Sequence, residues 1–218
     1  MTSLWLQIEL LSDTTFGSGE GVPGLVDVET QFDADGLPFC GGRELKGLLA
    51  EAGGNLLPYV APDWATVHGR LFGMPGSSDA RQSSMNVDSA RLPEDLQRLL
   101  HDEVARERVT RQELIEAFSE VRRQSSTDSV TGGPEEGSLR ASRTLCRGLK
   151  LQATIEFYSP PPPEERTWLA VCALAVRNAG TSRNRGRGRT RLSLLENGRD
   201  ISVSEFNNFR PKEAEQCG

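Results

Sequence analysis

The sequence LKLQATIEFY, residues 149–158, has the clearest strand pattern in the chain. Its apolar residues stand at every second position and alternate with mostly polar ones: Leu149, Leu151, Ala153, Ile155 and Phe157. Successive side chains of a strand point to opposite faces, so this period of two predicts a strand with one buried face. A similar alternation over residues 4–10 predicts an opening strand of the same kind.

Helical spacing follows both of these strands. Apolar residues recur at helical intervals over residues 43–57, where Gly53-Gly54 is expected to stop the helix. A short helix is predicted over 64–72. After residue 158 a proline run ends the strand, and Pro163 begins a helix that ends near residues 178–180. The inward positions of this helix are predicted to be Trp168, Val171, Cys172 and Leu174.

The order of elements predicts the fold class. A candidate strand at residues 85–90 and a final strand at 189–195 complete an α+β, ferredoxin-like (RRM-like) βαββαβ core with large insertions. Two helices, 93–107 and 110–123, are predicted inside the insertion, and Thr110 with Glu113 matches a capping box. Residues 124–150 are predicted to be a long excursion from the domain, either a functional loop or a disordered insertion.

Composition limits the class of protein. The chain has 218 residues and a net charge of -6, which argues against a generally basic nucleic-acid binder but is compatible with a local basic face. Four scattered cysteines without zinc-ligand spacing, Cys40, Cys146, Cys172 and Cys217, are expected to be reduced thiols. The first residues lack the features of a secretion signal or membrane span, so we expect a soluble cytoplasmic protein without membrane contact.

Residues 17–49, GSGEGVPGLVDVETQFDADGLPFCGGRELKGLL, combine a glycine-rich loop, isolated carboxylates and a basic helix start. Glycines allow close backbone approach to a phosphate, and the first turn of a helix offers free N–H groups to an anion. Arg43 and Lys46 stand in that helix, and Lys46 is expected to point at the ligand of the loop. This pattern predicts a site for a charged ligand, although such loops also occur in proteins without one.

A second basic stretch, GTSRNRGRGRTRLSLLENG, occupies residues 180–198. Its arginines stand at alternate positions, so in an extended backbone they would share one face: Arg183, Arg185, Arg187, Arg189 and Arg191. Gly186 and Gly188 would keep the backbone slim against a bound anion. Guanidinium groups match phosphate geometry, so the stretch predicts binding of a polyanion rather than an exposed soluble loop. No RNP-like aromatic run is present, so an RNA surface would be built differently from that of an RRM.

Together these two stretches resemble the RAMP superfamily of CRISPR effector proteins. The residues that carry the resemblance are Gly36-Leu37-Pro38, then Gly42, Leu45, Lys46 and Gly47, and the late arginine-glycine loop. More narrowly, the chain is similar to the backbone subunits of type III complexes, which stack along a guide RNA. The connection through Cys146-Arg147-Gly148 is also similar to that family.

The resemblance implies a single RAMP domain over residues 1–218, with a helical insertion at about 92–123 and a thumb at about 122–143. The thumb would wedge into the duplex of guide and target RNA. Guide-RNA phosphates would be held by the helix after the glycine pair and by the arginine-glycine loop, and other RAMP subunits would be partners. The implied RNA-binding residues are Arg43, Lys46, Arg183, Arg185, Gly186, Arg187, Gly188 and Arg189.

The resemblance also implies metal-dependent cleavage of target RNA by an aspartate of the acidic segment. Counting back from Gly36 places Asp27 on that catalytic position, where it would bind Mg²⁺ or Mn²⁺, while Asp33 falls on a structural one. Asp27 could equally be an ordinary loop residue in a noncatalytic guide-RNA-binding scaffold. A third hypothesis is a ferredoxin-like RNA binder unrelated to CRISPR. His68 and His101 neighbour no nucleophile and are expected to be a satisfied core histidine or surface histidines.

Overall fold

The computed structural model describes residues 4–73, 83–126, 132–133, 135, 137–183 and 186–209. The strands are β1 (Leu4–Leu10), β2 (Phe39–Cys40), β3 (Met85–Val87), β4 (Ala90–Arg91), β5 (Ser119–Gln124), β6 (Arg140–Leu145), β7 (Lys150–Phe157), β8 (Thr190–Glu196) and β9 (Arg199–Asp200). The helices are α1 (Gly42–Leu56), α2 (Asp63–Phe72), α3 (Glu94–Ala105), α4 (Arg111–Phe118), α5 (Pro163–Ala175) and α6 (Ser202–Phe206), with a 3-10 turn at Leu57–Tyr59.

The main sheet has the strand order β2-β4-β7-β1-β8-β9, and β3 also pairs with β7. Strand β1 lies in the centre and is antiparallel to both neighbours, with Leu6 opposite Ala153 and Leu194. Strands β3 and β4 both pair with β7 and together take the place of the second of the four core strands. The order of the core strands is therefore that of a ferredoxin-like sheet. The predicted α+β, ferredoxin-like core with insertions is therefore confirmed.

One face of the sheet forms the core, as the period-two patterns predicted. In β1 the residues alternate between buried and half-buried, and β7 and β8 continue the same alternation. Helix α5 packs against β8, α1, α2 and α6, so six consecutive residues from Trp168 are buried. Trp168 Nε1 donates to His68 Nδ1 at 3.1 Å. Partial burial lowers the pKa of His68, whose half-buried ring has this hydrogen-bond partner, as expected for a satisfied histidine.

Helix α1 does not stop at Gly53-Gly54, contrary to prediction, but continues to Leu56. Gly53 is buried, and a Cβ atom there would lie 2.6 Å from Cys172 Sγ and 2.9 Å from His68 Nδ1. This glycine therefore allows α1 to approach α2 and α5 closely, which is a reason for glycine inside a helix that local spacing does not reveal.

The predicted second helix of the insertion is too long. Thr110 and Glu113 form the predicted capping box, but α4 ends at Phe118 and the chain continues as β5. Strand β5 forms a two-stranded hairpin with β6, with Ser119 opposite Leu145. The sequence SEVRRQ is charged and short, and only its distant partner strand selects the extended conformation. The expectation of an excursion without regular structure is therefore also wrong for residues 140–145, while 127–131, 134 and 136 lie outside the described residues.

Candidate nucleic-acid interface

Strand β6 joins the hairpin to the acidic segment that follows β1. On one side it pairs with β5, and on the other it forms bridges from Leu145 to Thr14 and from Ser142 to Val28. A further bridge between Gly17 and Thr30 folds the glycine-rich loop back onto the acidic segment. We call residues 141–145 of β6 the hairpin base. The glycine-rich loop, the acidic segment and the hairpin base therefore form one connected structure.

The candidate catalytic residue Asp27 is exposed at this junction. Its backbone N–H donates to the carbonyl oxygen of Ala141 at 2.8 Å, and its Oδ2 accepts from the Ala141 N–H at 2.7 Å. These bonds orient the carboxylate and leave Oδ1 without a hydrogen-bond partner among the described residues. The described residues as a whole contain no group of three or more His, Cys, Asp or Glu side chains placed to hold a metal ion. Mg²⁺, however, often takes only one or two protein carboxylates together with substrate phosphates, so an exposed oriented carboxylate fits such an ion.

Two residues after Asp27, Glu29 forms an ion pair with Arg143, at 2.9 Å from Arg143 Nε. The Arg143 side chain is only 6% exposed. Its Nη1 lies 3.4 Å from Ser119 Oγ, and Thr15 Oγ1 donates to its carbonyl oxygen at 2.8 Å. A buried guanidinium needs such a partner because desolvation of an unpaired charge is costly. Sequence reasoning missed this pair because its members are 114 residues apart.

Asp33 stabilises the turn that follows the acidic segment. Its Oδ1 accepts from the backbone N–H groups of Asp35 and Leu37, at 3.1 and 2.9 Å. The turn that it holds includes Gly36 at φ +90°, where a Cβ atom would lie 2.6 Å from the carbonyl oxygen of Arg111. The turn therefore packs directly against the start of α4.

The glycine pair Gly41-Gly42 at the start of α1 allows close packing. A Cβ atom at Gly42 would overlap the carbonyl oxygen of Val87, so only glycine allows α1 to begin this close to β3. The Gly41 N–H donates to Gln31 Oε1 at 3.0 Å, and Gln31 Nε2 donates to the carbonyl oxygen of Gly17 at 3.1 Å. Gln31 thereby ties the glycine-rich loop to the N-terminus of α1.

The two basic residues of α1 have different environments. Arg43 is exposed and forms no ion pair with the described residues. Lys46 Nζ donates to Ser83 Oγ at 2.6 Å and to the carbonyl oxygen of Met85 at 3.1 Å. Its side chain is therefore directed to the start of β3 instead of to a ligand of the glycine-rich loop, and burial lowers its pKa. Of the two, Arg43 is the one available to an anion.

The described part of the late arginine stretch is not extended throughout, which was the condition for the arginines to share one face. Gly186 and Gly188 have φ angles of +79° and +72°, which interrupt the extended conformation that the alternation requires. Arg183 pairs with Glu51 of α1 at 2.9 Å, whereas Arg187 Nη1 donates to Ser142 Oγ of β6 at 3.0 Å. Arg189 is exposed and its side chain has no ion pair among the described residues, and Arg185 lies outside them.

The fold nevertheless brings the separate stretches together. The Thr181 N–H donates to the carbonyl oxygen of Thr15 at 2.8 Å, which places the arginine-glycine loop beside the glycine-rich loop. Arg183 contacts α1, and Arg187 contacts the β6 residue next to the partner of Asp27. The acidic segment, the start of α1, the arginine-glycine loop and the hairpin base therefore form one continuous surface.

This surface includes arginines that sequence reasoning did not select. A cleft of about 570 Å³ between the hairpin base and the arginine-glycine loop is lined by Arg122, Arg147 and Arg187. Arg122 is paired with Asp13 at 2.9 Å, while Arg147 is exposed. The Cys146-Arg147-Gly148 similarity was the only sequence signal that included Arg147.

The backbone is similar to chains of solved structures. One belongs to the apo state of the type III-B Cmr-beta, with a TM-score of 0.66 and 14% identity over 88% of this chain and 97% of that chain. Another belongs to the type III-B Cmr-beta bound to cognate target RNA, with a TM-score of 0.63 and 14% identity over 89% and 97%. The chain has the fold of these Cmr-beta chains. No family model and no curated protein matches the sequence. None of the described helices is long and apolar enough for a bilayer crossing.

Proposed function

We propose that the chain is a backbone subunit of a type III CRISPR effector complex that binds guide RNA. The observation that carries this proposal is that the arginine-glycine loop contacts the glycine-rich loop at Thr15, helix α1 at Glu51 and strand β6 at Ser142. The shared fold with Cmr-beta chains, one of them solved with cognate target RNA, supports it. The partners are guide RNA, target RNA and neighbouring subunits of the complex.

Guide binding would use cations of α1 and of the arginine-glycine loop. Arg43 and Arg189 are exposed without ion pairs among the described residues, and Arg187 is held at the hairpin base by a neutral hydroxyl. Such guanidinium groups pair with phosphates and release condensed counterions, so binding weakens as salt rises. The acidic total charge does not oppose this, because many carboxylates lie elsewhere on α3 and α4.

Asp27 is the residue that we propose for cleavage of target RNA. Its carboxylate is oriented by the Ala141 N–H, and its Oδ1 has no hydrogen-bond partner in the described part of the chain. A Mg²⁺ or Mn²⁺ ion bound there would supply positive charge to the scissile phosphate. Arg187, fixed on the neighbouring residue Ser142, is available to hold an adjacent phosphate in place.

The test is Asp27→Asn in the assembled complex with guide RNA and a labelled target. We expect one set of cuts to disappear while target affinity is unchanged, because the substitution removes charge but keeps the shape of the side chain. Glu20→Gln, an exposed carboxylate in the same segment, is the matched control and should leave cleavage intact. Unchanged cleavage by the Asp27 variant would exclude its catalytic role.

A noncatalytic guide-RNA scaffold is the second candidate. The observation in its favour is that the described residues hold no cluster of three or more His, Cys, Asp or Glu side chains placed to bind a metal ion. In this case charge reversal at Arg185 and Arg187 should prevent assembly, and no metal-dependent cleavage by this subunit should be measurable. Copurification of RNA of uniform, guide-like length would exclude an RNA binder unrelated to CRISPR.

A further inference from the structure

The ion pair between Glu29 and Arg143 is buried where the acidic segment meets β6. The side chain of Glu29 is 18% exposed and that of Arg143 is 6% exposed. Arg143 Nε lies 2.9 Å from Oε1 of Glu29 and donates to Oε2 at 3.1 Å. Desolvation of both charges offsets much of their attraction, so a buried pair adds little net stability, and its best-attested use is to fix the register of the elements that it joins.

Both members of the pair have further hydrogen bonds. The Thr30 N–H donates to Oε1 of Glu29 at 2.9 Å. Arg143 Nη1 donates to Ser119 Oγ of β5 at 3.4 Å, and the Arg143 carbonyl oxygen accepts from Thr15 Oγ1 at 2.8 Å. These bonds hold the acidic segment against both strands of the hairpin and against the segment that follows β1.

The candidate cleavage residue Asp27 is attached to the same part of β6. Its N–H donates to the Ala141 carbonyl oxygen at 2.8 Å, and its Oδ2 accepts from the Ala141 N–H at 2.7 Å. One residue later, the Val28 carbonyl oxygen accepts from the Arg143 N–H at 3.0 Å. The side chains of Glu29 and Arg143 continue this row of contacts without a gap.

The backbone pairing at Asp27 is too short to fix its own register. Val28 and Ser142 form an isolated bridge instead of a ladder of strand residues. A slip by one residue turns each side chain of an extended segment to the opposite face, and short pairings specify register weakly. Such a slip would take the Asp27 carboxylate away from the Ala141 N–H, and it would also break the pair of Glu29 with Arg143.

From these contacts we propose that Glu29 and Arg143 are positioning residues for Asp27. Their ion pair fixes the acidic segment on β6 in the one register that orients the Asp27 carboxylate. Loss of a partner that orients a metal-binding group typically costs about 10–100-fold in metal affinity or activity. This proposal rests on the proposed function, because it needs Asp27 to take part in cleavage.

The first test measures single-turnover cleavage of a labelled target by the assembled complex at increasing Mg²⁺ concentration. The double variant Glu29→Gln/Arg143→Gln removes both charges, so that no buried guanidinium is left unpaired. We expect its cleavage rate to fall about 10–100-fold, or the Mg²⁺ concentration at half the maximal rate to rise by that factor, with target affinity unchanged. Arg143→Lys keeps a cation beside Glu29 and should cleave faster than Arg143→Gln.

A matched control removes another half-buried ion pair. Arg166 Nη1 of α5 lies 2.8 Å from Oε1 of Glu196 in β8, and their side chains are 26% and 24% exposed. The variant Glu196→Gln/Arg166→Gln makes the same chemical change away from Asp27. It should cleave target RNA at the wild-type rate.

The second test is hydrogen exchange of the purified chain without RNA, followed by mass spectrometry of its peptides. In Glu29→Gln/Arg143→Gln, peptides that cover residues 26–30 and 140–143 should exchange faster than in wild type, because the bonds between Asp27 and Ala141 open more often. Peptides of β7 should keep the wild-type exchange rate, since this strand belongs to the main sheet.

The outcomes separate this proposal from the proposed cleavage. If Asp27→Asn abolishes cleavage while Glu29→Gln/Arg143→Gln cleaves like wild type, the positioning role is overturned and the role of Asp27 stands. If Asp27→Asn cleaves normally, both fail. A slower rate without faster exchange, failure of the double variant to assemble, or faster exchange in β7 as well would show that the pair does not act specifically on the register at Asp27, which also overturns the proposal.

Discussion

Replacing Gly188 by alanine is expected to destabilise the fold, whereas the same change at Gly186 should cost much less. Both residues have positive φ angles, and an L-residue in that conformation costs about 1–2 kcal/mol. At Gly186 an added Cβ atom meets nothing within 4 Å, so this conformational cost is the whole effect. At Gly188 the Cβ atom would overlap the carbonyl oxygen of Ala179.

Relief of that overlap would separate two segments that Gly188 joins. Its N–H donates to the carbonyl oxygen of Asp13 at 3.0 Å, and its carbonyl oxygen accepts from the Ala179 N–H at 2.8 Å. Each bond contributes about 0.5–1.5 kcal/mol, so Gly188→Ala should cost about 1–3 kcal/mol more than Gly186→Ala, or about 2–5 kcal/mol in total.

Urea unfolding followed by circular dichroism measures the difference. With a slope of about 2–3 kcal/mol per M, the midpoint of Gly188→Ala should lie about 0.3–1.5 M below that of Gly186→Ala. Coincident midpoints would refute the reasoning, because they would mean that the loop moves away from Ala179 without losing its bonds. Such a result would favour the sequence-based view that both glycines serve only backbone access to a bound anion.

Two other predictions concern charge and pH. Arg43→Gln should lower guide-RNA affinity and reduce the slope of log binding constant against log salt concentration by about one. Lys46→Gln should change this slope less, because Lys46 is hydrogen-bonded to Ser83 and Met85. Salt titrations measure both slopes, and equal slopes for the two variants would contradict the prediction. Burial lowers the pKa of His68 from 6.5, so the unfolded chain binds more protons and the free energy of unfolding should fall as pH drops below about 6.5. The urea midpoints at pH 7.5 and pH 5.5 should therefore differ more for wild type than for His68→Asn. An equal difference for both proteins would refute a lowered pKa of His68.

The elements with strong periodicity were predictable from sequence. The alternation in β1 and β7 and the apolar spacing in α1 result from burial of one face or one stripe, so the order of apolar residues predicts these elements. Strand β5 was not predictable, because its six residues have no clear period and are extended only through pairing with β6.

For the candidate site, the sequence selected stretches that the fold brings together, but it did not predict their geometry. Asp27 and Arg43 are both exposed. Lys46 and the arginine-glycine loop differ, because the hydrogen bonds to Ser83 and Met85 and the turns at Gly186 and Gly188 involve partners distant in sequence. Whether these residues bind RNA and whether Asp27 cleaves it stay predictions.

What the sequence determined by itself is most of the elements and the chemistry that they carry: two alternating strands, glycines that permit positive φ, and guanidinium and carboxylate groups in separate stretches. Only the tertiary structure decided which of those groups are free. Arg143 forms an ion pair with Glu29, and Lys46 donates hydrogen bonds to Ser83 and Met85. Arg43 and Arg111, in contrast, have no ion pair among the described residues. The physical reason is that burial and pairing depend on contacts between residues far apart in the chain, which local pattern does not encode.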